Sequence, residues 1–426
     1  MLKNMLRILM FACLLFGITF YSFSQIEKKN KEDNAKELTL FSDTLAIVKN
    51  EYVDDIETKK LIYGAIKGML SNLDAYSQFL DPEEYNELKI DTVGEFGGLG
   101  IEITIKDGFL MVISQILDTP AWKAGIKSQD RIVKIDKKVT KDMTLQEAVK
   151  KLRGKPGTQV IITIWRESKQ KLFDVNIRRD IIKIKDVRYC QILEDKIGYI
   201  RLVEFREKSD EMLEESLEKL KKEGMDSLIL DLRNNPGGIL ESAINITGFF
   251  IEPNKVIVST NGKKNKKIEY KSKFPNPYLN IPILILINEG SASGSEIVAG
   301  ALQDYKRAVI AGKKSFGKGS VQSVIPLVDG SAIRVTTNKY YTPMGRTIHN
   351  EGIHPDVEIE PDENGEKANK DLDEDLLTKI EKLDNIEQAP EETLDYKKDT
   401  QLKGAINLIK GIKIYKNIPD EENKNK

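Results

Sequence analysis

Histidine and cysteine are nearly missing from this chain, with two of each among 426 residues. The histidines, His349 and His354, stand five apart in the turn-rich segment TPMGRTIHNEGIHPDVEIE. Helical zinc sites space their ligands four apart, so this pair does not match one. Both are expected in loops or at the surface, and a hydrolase built on this chain would have to work without a histidine base. Cys13 lies in an apolar run near the N-terminus, and Cys190 stands alone beyond it. Once the first segment is removed no internal disulfide can form, so stability must come from packed cores. A basic excess is missing too: 66 Lys and Arg face 67 Asp and Glu, a net charge of −1. That argues against a general nucleic-acid binder. The run from Ile8 to Phe20 is shorter than a typical membrane span, and no internal repeat is visible.

What is present begins with that run. Lys3 and Arg7 precede it and the small residues of YSFSQ follow, the layout of a secretory signal peptide over residues 1–24. Removal after Ser24 is expected, with export to the periplasm or cell envelope. The alternative is an uncleaved anchor, the one membrane attachment foreseen. A chain this long is expected to hold two or three domains. Residues 25–94 read as a charged linker followed by a helical region over about 39–88. There Leu61, Ile62, Ala65, Ile66, Met69, Leu70 and Leu73 recur three and four apart. A stripe this wide must cover another domain or another subunit.

Residues 95–182 change character. FGGLGIEITIKDGFLMVISQI reads as a glycine turn and two strands joined at Asp107-Gly108. TPAWKAGIKSQDRIVKIDKK, a short helix over Thr144–Leu152 and the strand VIITIWRE follow. The order Gly98-Leu99-Gly100-Ile101, Pro120-Ala121, Ala124-Gly125 and Asp130-Arg131-Ile132, then the helix, resembles the bacterial, circularly arranged PDZ modules. That resemblance implies an extended peptide bound as an added strand, its terminal carboxylate caught by backbone N–H groups near residues 98–101.

Residues 183–360 alternate strands with helices. SLILDLR and IPILILI are continuous apolar strands, each followed by a glycine turn and a helix, which implies a sheet covered on both faces. Sites tend to form at the carboxyl ends of such strands. Residues 361–426 are acidic, then weakly helical over 401–415. Apolar positions 402, 405, 406, 408, 409 and 412 could dock on a neighbour.

Three glycine-marked turns end apolar strands. Asn235-Pro236-Gly237-Gly238 offers bare backbone N–H groups. Gly290-Ser291-Ala292-Ser293-Gly294 offers a serine at a helix N-terminus, where positive potential gathers. Gly317-Lys318-Gly319 offers an amine. The stretch GKKSFGKGSVQ opens like a phosphate-binding loop, with Gly312, Gly317 and Lys318 correctly spaced. Gly319 then replaces the Mg²⁺-binding hydroxyl, and β-branched VQSVIPLVDGSAIRVTTNKYY replaces the helix, so nucleotide binding fails. The serine does not fit a nucleophile elbow either, since Ala292 stands where its serine belongs. A serine hydroxyl needs a base, and a lysine serves only when burial keeps it neutral.

NEGSASGSEIVAGALQDYKRAVIAGKKSFGKGSVQ, LILDLRNNPGG and YYTPMGRTIHNEGIHPDV together resemble the carboxyl-terminal processing peptidases, or tail-specific proteases. The likeness runs over about residues 40–415. It implies an α/β multidomain chain with a mixed peptidase core of the crotonase-like ββα superhelix type, an inserted PDZ domain and helical ends. It also implies Ser293 as nucleophile, Lys318 as general base and Gln322 holding the lysine. The oxyanion hole would be the N–H of Gly294 with that of Gly238 or, less favoured, Gly237. Ser291 and Ser295 are expected as turn and capping hydroxyls. Glu296 and Asp304 are candidates for orienting the site or for capping and solvation. Where the family has alanine this chain has Gly294, a freer backbone. No metal and no other cofactor is implied. Expected partners are protein or peptide substrates with apolar C-termini, an activating adaptor and a second copy of the chain. Arg166 could pair with an acidic group of the core in an open state, or lie at the surface. The rival reading is a catalytically inactive PDZ scaffold or peptide-binding protein.

Overall fold

The computed structural model describes residues 35–361 and 398–416, apart from 107, 117, 142, 264–266, 274, 276 and 277. The expected signal peptide and most of the acidic segment lie outside the described residues. The chain opens with a helix α1 over 35–51, then α2 (Thr58–Ser71), strand β1 (Gln78–Leu80) and α3 (Pro82–Val93). The strand corrects the continuous helical region expected over about 39–88. Asp81 caps α3 from outside, its side chain accepting from Glu83 N and Glu84 N while Glu84 returns the bond, and Pro82 sits at the first helical position. Those signals force a new helix there. Phe79 and Leu80, left ahead of it, are buried as a strand against the core. Of the α2 stripe Leu70 is buried, whereas Met69 and Leu73 remain exposed.

Strands β2 (Glu95–Gly98) and β9 (Asp180–Lys183) form a two-stranded ribbon. Between them lie β3 (Ile101–Lys106), β4 (Phe109–Gln115), α4 (Pro120–Lys123), β5 (Arg131–Ile135), β6 (Lys138–Val139), α5 (Leu145–Leu152), β7 (Gln159–Arg166) and β8 (Lys171–Arg178). The sheet runs β3-β4-β5-β7-β8 with β6 on β5. Its own core includes Leu99, Leu110, Ile132, Ile162 and Ile177. Arg166 overturns the surface reading made of it. It is buried and held within its own domain by Asp130, Nε donating to Oδ1 (2.7 Å) and Nη2 to Oδ2 (2.6 Å). The strand's last residue turns inward because a buried carboxylate waits there.

The peptidase core contains β10 (Val187–Ile192), β11 (Ile197–Leu202), α6 (Ser209–Lys222), β12 (Ser227–Asp231), α7 (Leu240–Gly248), β13 (Val256–Gly262), β14 (Ile268–Lys271) and β15 (Ile283–Ile287). It continues through α8 (Gly294–Asp304), β16 (Val309–Gly312), β17 (Ser320–Pro326), β18 (Ala332–Tyr341), β19 (Val357–Glu358) and α9 (Thr400–Lys416). One sheet is ordered β10-β11-β12-β15-β16-β19, parallel except for its β10 edge. A second joins β1, β18, β13 and β14, with β17 on β18.

The parallel sheet is apolar on both faces, as its continuous strands require. Leu228, Leu230, Ile283 and Ile285 face α6, α7 and α8, while Ile229, Leu284 and Leu286 face the other way. That second face is covered by Leu402, Ala405, Ile406 and Ile409 of α9. The C-terminal stripe, expected against a neighbour, is thus used within the chain.

A buried ionic network joins α9 to the sheet. Arg233 Nη2 donates to Asp231 (2.6 Å) and Asp399 (2.7 Å), and Nη1 reaches Asp399 and Gln401. Burial pushes the Asp231 carboxyl up, but the Arg233 charge wins and holds it below the usual range. Arg233→Met should cost about 3–5 kcal/mol, because it leaves that carboxylate buried and unpaired. Urea unfolding at pH 7 measures this. Since the folded Asp231 is the stronger acid, its contribution is present above the ordinary carboxylate range and is lost as pH falls below that range through the depressed folded value.

Candidate active site

The loops at the carboxyl ends of β12, β15 and β16 meet. After β12, Asn235 is buried and ties the first loop down, its amide donating to Leu202 O and its Oδ1 accepting from Gly237 N (2.9 Å). Phe205 locks the glycines from the other side: its N–H donates to Gly237 O and its carbonyl accepts from Ile239 N. A Cβ at Gly238 would fall 2.0 Å from Phe205 O, and one at Gly237 would fall 2.7 Å from Ser293 Cβ. No other residue allows these approaches. Gly237 N–H is consumed, whereas among the described residues Gly238 N–H and Gly294 N–H have no hydrogen-bond partner. Of the two alternatives for the oxyanion donor, this favours Gly238.

Ser293 precedes α8 with φ 52° and ψ −108°, a conformation strained for a residue with a side chain, at a cost of order 1–3 kcal/mol. Its neighbours fix it. Ser291 Oγ donates to Leu232 O (2.8 Å), and Ser295 Oγ donates to Asn235 O (2.9 Å), so both hydroxyls hold the turn as expected. Gly294 lies in the first turn of α8. A Cβ there would press to 3.1 Å from Phe205 Cδ2, so this ring takes the room that an alanine would need.

Glu296, one helical turn on, carries the arrangement. It is fully buried and accepts four bonds: Ser293 N (2.8 Å) and Lys318 N (2.9 Å) on Oε2, Gly317 N (2.7 Å) and Ser315 Oγ (2.6 Å) on Oε1. One carboxylate therefore pins the serine turn to the lysine loop. Burial pushes its carboxyl above the usual range against the pull of those donors. The sequence signal was available: Ser293-x-x-Glu296 is a capping-box pattern. Asp304 is instead structural, accepting from Met344 N (2.8 Å) and pairing with Arg346.

Lys318 is half-buried. Desolvation, then the Arg334 charge, push its amine below the ordinary lysine value, with Glu296 acting weakly the other way. Its Nζ lies 5.2 Å from the centre of the Tyr76 ring. Among the described residues no hydrogen bond joins Nζ to Ser293 Oγ or to Gln322. Gln322, beside a bulge between β17 and β18, donates to Ser320 O (3.2 Å) and Ser320 Oγ (2.9 Å). Tyr76, 242 positions before the lysine, had no signal in the sequence. His349 is partly buried, with its main chain packed behind Gly319. No group of His, Cys, Asp and Glu among the described residues could hold a metal ion.

In the PDZ-like domain, residues 98–101 cross the end of the sheet. Leu99 O accepts from Ala121 N and Gly100 O from Ile116 N. Among the described residues Leu99 N–H and Gly100 N–H have no partner. Gly100 has φ 79° with Thr119 2.3 Å from where a Cβ would stand.

A serine at a helix N-terminus beside free amide donors, in an α/β core that carries a PDZ domain, defines the class as a serine peptidase. Family patterns match in three places: peptidase family S41 over residues 196–359, a PDZ domain over 112–166, and the activating protease CtpB N-terminal domain over 19–84. The chain is 44% identical over 339 residues to the carboxy-terminal-processing protease of Bartonella bacilliformis, covering 79% of this chain and 78% of that one. It is 37% identical over 349 residues to a Staphylococcus aureus protein described as "Probable CtpA-like serine protease", covering 80% and 69%. A solved photosystem II D1 C-terminal processing protease is 29% identical, with 76% of this chain and 92% of that one aligned at a TM-score of 0.45. The chain belongs to peptidase family S41, among the carboxy-terminal-processing serine proteases. No helix of the described residues is long and apolar enough to cross a membrane.

Glu296→Gln keeps the shape but turns an NH₂ against two donors. It should lower kcat/KM at least tenfold while the protein stays folded, and destabilise it by about 1–3 kcal/mol. Peptide-cleavage kinetics with a denaturant melt on the same sample check both.

Proposed function

We propose that this protein is an exported endopeptidase of Ser-Lys type that cuts proteins near their carboxyl termini. The observation that carries the reading is the Glu296 carboxylate, which gathers Ser293 N and Lys318 N onto one oxygen. Two unpartnered amide donors lie beside it.

In the reaction, neutral Lys318 takes the Ser293 Oγ proton as Oγ bonds to the scissile carbonyl carbon. The resulting oxyanion is held by Gly238 N–H and Gly294 N–H, a type of donor worth about 2.7–4 kcal/mol of barrier. Collapse breaks the peptide C–N bond and the lysine returns the proton to the departing amine. Water, deprotonated by the same lysine, then hydrolyses the Ser293 ester. Gln322 would steady the amine once it leaves Tyr76 for Oγ. Leu99 and Gly100 of the PDZ domain, with Gly98 and Ile101 flanking them, would capture the substrate's terminal carboxylate by their N–H groups. An adaptor could assist by ordering the dyad.

Peptides ending in apolar residues should be cleaved, and amide-capped versions should be cut less well. Ser293→Ala and Lys318→Ala should each lose activity at least a thousandfold. The kcat/KM profile should rise with pH along an acid limb lying below the ordinary lysine range, since only the neutral amine is a base. Intact masses of the peptides read the outcome. Equal, intact peptide with wild type and both variants across pH would favour the inactive scaffold.

We also infer export to the periplasm or cell envelope, supported by Lys3, Arg7 and the run Ile8–Phe20, and a homodimer. Leu38, Leu40, Phe41, Ile47 and Val48 of α1 are exposed and would meet a second copy. Native and denatured mass of the exported protein should show a dimer of chains lacking residues 1–24. A full-length monomer would refute both.

A further inference from the structure

The stretch between α2 and α3 is tied to the same strand that supports the lysine loop. Asp74 Oδ1 accepts from Tyr76 N and Ser77 N (both 2.8 Å), and its Oδ2 accepts from Ser77 Oγ. Partial burial acts against them, yet these donors hold the Asp74 carboxyl below the usual range. Ser77 Oγ accepts from Thr336 N (3.1 Å), and β1 pairs with β18 through Gln78 with Arg334, Phe79 with Ile333 and Leu80 with Ala332. Phe79 packs against Tyr63 with ring centres 4.6 Å apart and planes tilted by 60°, and Tyr63 donates to Asp329 in the β17–β18 turn. Tyr76 therefore stands on a fixed base, with its ring 5.2 Å from Lys318 Nζ.

We propose that Tyr76 is a positioning residue for Lys318, a resting place that the N-terminal segment offers to the protonated amine in competition with Ser293 Oγ. This rests on Lys318 being the general base. An aromatic face attracts an ammonium and not a neutral amine, and 5.2 Å is within the reach of that attraction. While protonated the amine is held at the ring. Loss of the proton removes the hold and releases the amine toward the hydroxyl it must deprotonate. The charged groups that act on it are Arg334 of β18 and Glu296 of α8. The Arg334 guanidinium is left without a hydrogen bond or ion pair among the described residues, its Nε buried. It opposes the ring's pull, so Tyr76 and Arg334 set the balance between the parked cation and the free base.

The test is the pH dependence of kcat/KM and of kcat for wild type, Tyr76→Leu, Tyr76→Phe and Tyr76→Trp, with Lys318→Ala as the control. Tyr76→Leu should move the acid limb down by roughly half a pH unit with KM unchanged. Tyr76→Phe should restore the wild-type limb, and Tyr76→Trp, with the strongest ring, should move it up. Should the leucine variant fail to fold, the Phe and Trp profiles still decide. An acid limb that stays put across the series overturns the proposal, as does a KM rise shared by Leu and Phe, which would make the tyrosine a substrate contact. Retained activity in Lys318→Ala sinks the base assignment itself, a failure separable from an inert Tyr76.

Discussion

A carboxylate without solvent survives only where enough donors replace the lost water, and Glu296 meets that demand with four. The consequence is mutual dependence. The lysine loop is held where it is because the carboxylate needs its N–H groups, and the carboxylate tolerates burial because the loop is there. Ser293 sits between them in a backbone conformation it would not choose alone. Strain of this kind persists only where the surroundings over-determine the geometry, and here a helix N-terminus, a second turn and a buried charge all converge.

The sheet beneath extends this rigidity in two directions. On one face α6, α7 and α8 pack against β11, β12, β15 and β16, and on the other α9 closes the second layer. Arg233 lies two residues before Asn235, so the ionic network that anchors α9 also fixes the start of the glycine loop with its free N–H group. The Gly238 donor stays bare because Asn235 and Phe205 consume the N–H groups on either side of it, and Glu296 and Ala292 O do the same around Gly294. Against this rigid frame the lysine amine is the part with a choice of positions. It lies over the Tyr76 ring, 5.2 Å from its centre, with no hydrogen-bond acceptor among the described residues, and the proposed storage of the base as a cation rests on that placement.

Much of this was legible in the chain. Continuous apolar strands ending in glycine turns foretold a two-faced sheet, and Ser291 and Ser295 were expected as turn and capping hydroxyls, although the Ser295 hydroxyl reaches across to Asn235 O. The capping box at Ser293-x-x-Glu296 was readable, but a capping box does not say that the same carboxylate reaches the loop at Gly317 and Lys318. Arg166 was misjudged because nothing at a strand's end reveals the buried Asp130 that receives it. The stripe of α9 was assigned to a neighbour because amphipathicity declares a buried face without naming what covers it. Residues 78–80 were read as helix because three residues carry too little periodicity to reveal a strand.

The sequence by itself determined the longer elements, the residue types capable of nucleophilic and basic chemistry, and the family to which they belong, since these rest on local pattern and on motifs contiguous in the chain. Only the tertiary structure decided which amide donors stay free, that one carboxylate joins the two turns, and that a tyrosine from the N-terminal segment meets the lysine. Those are contacts between distant segments. Their energy depends on burial and on distances of a few ångström, which chain order does not encode locally.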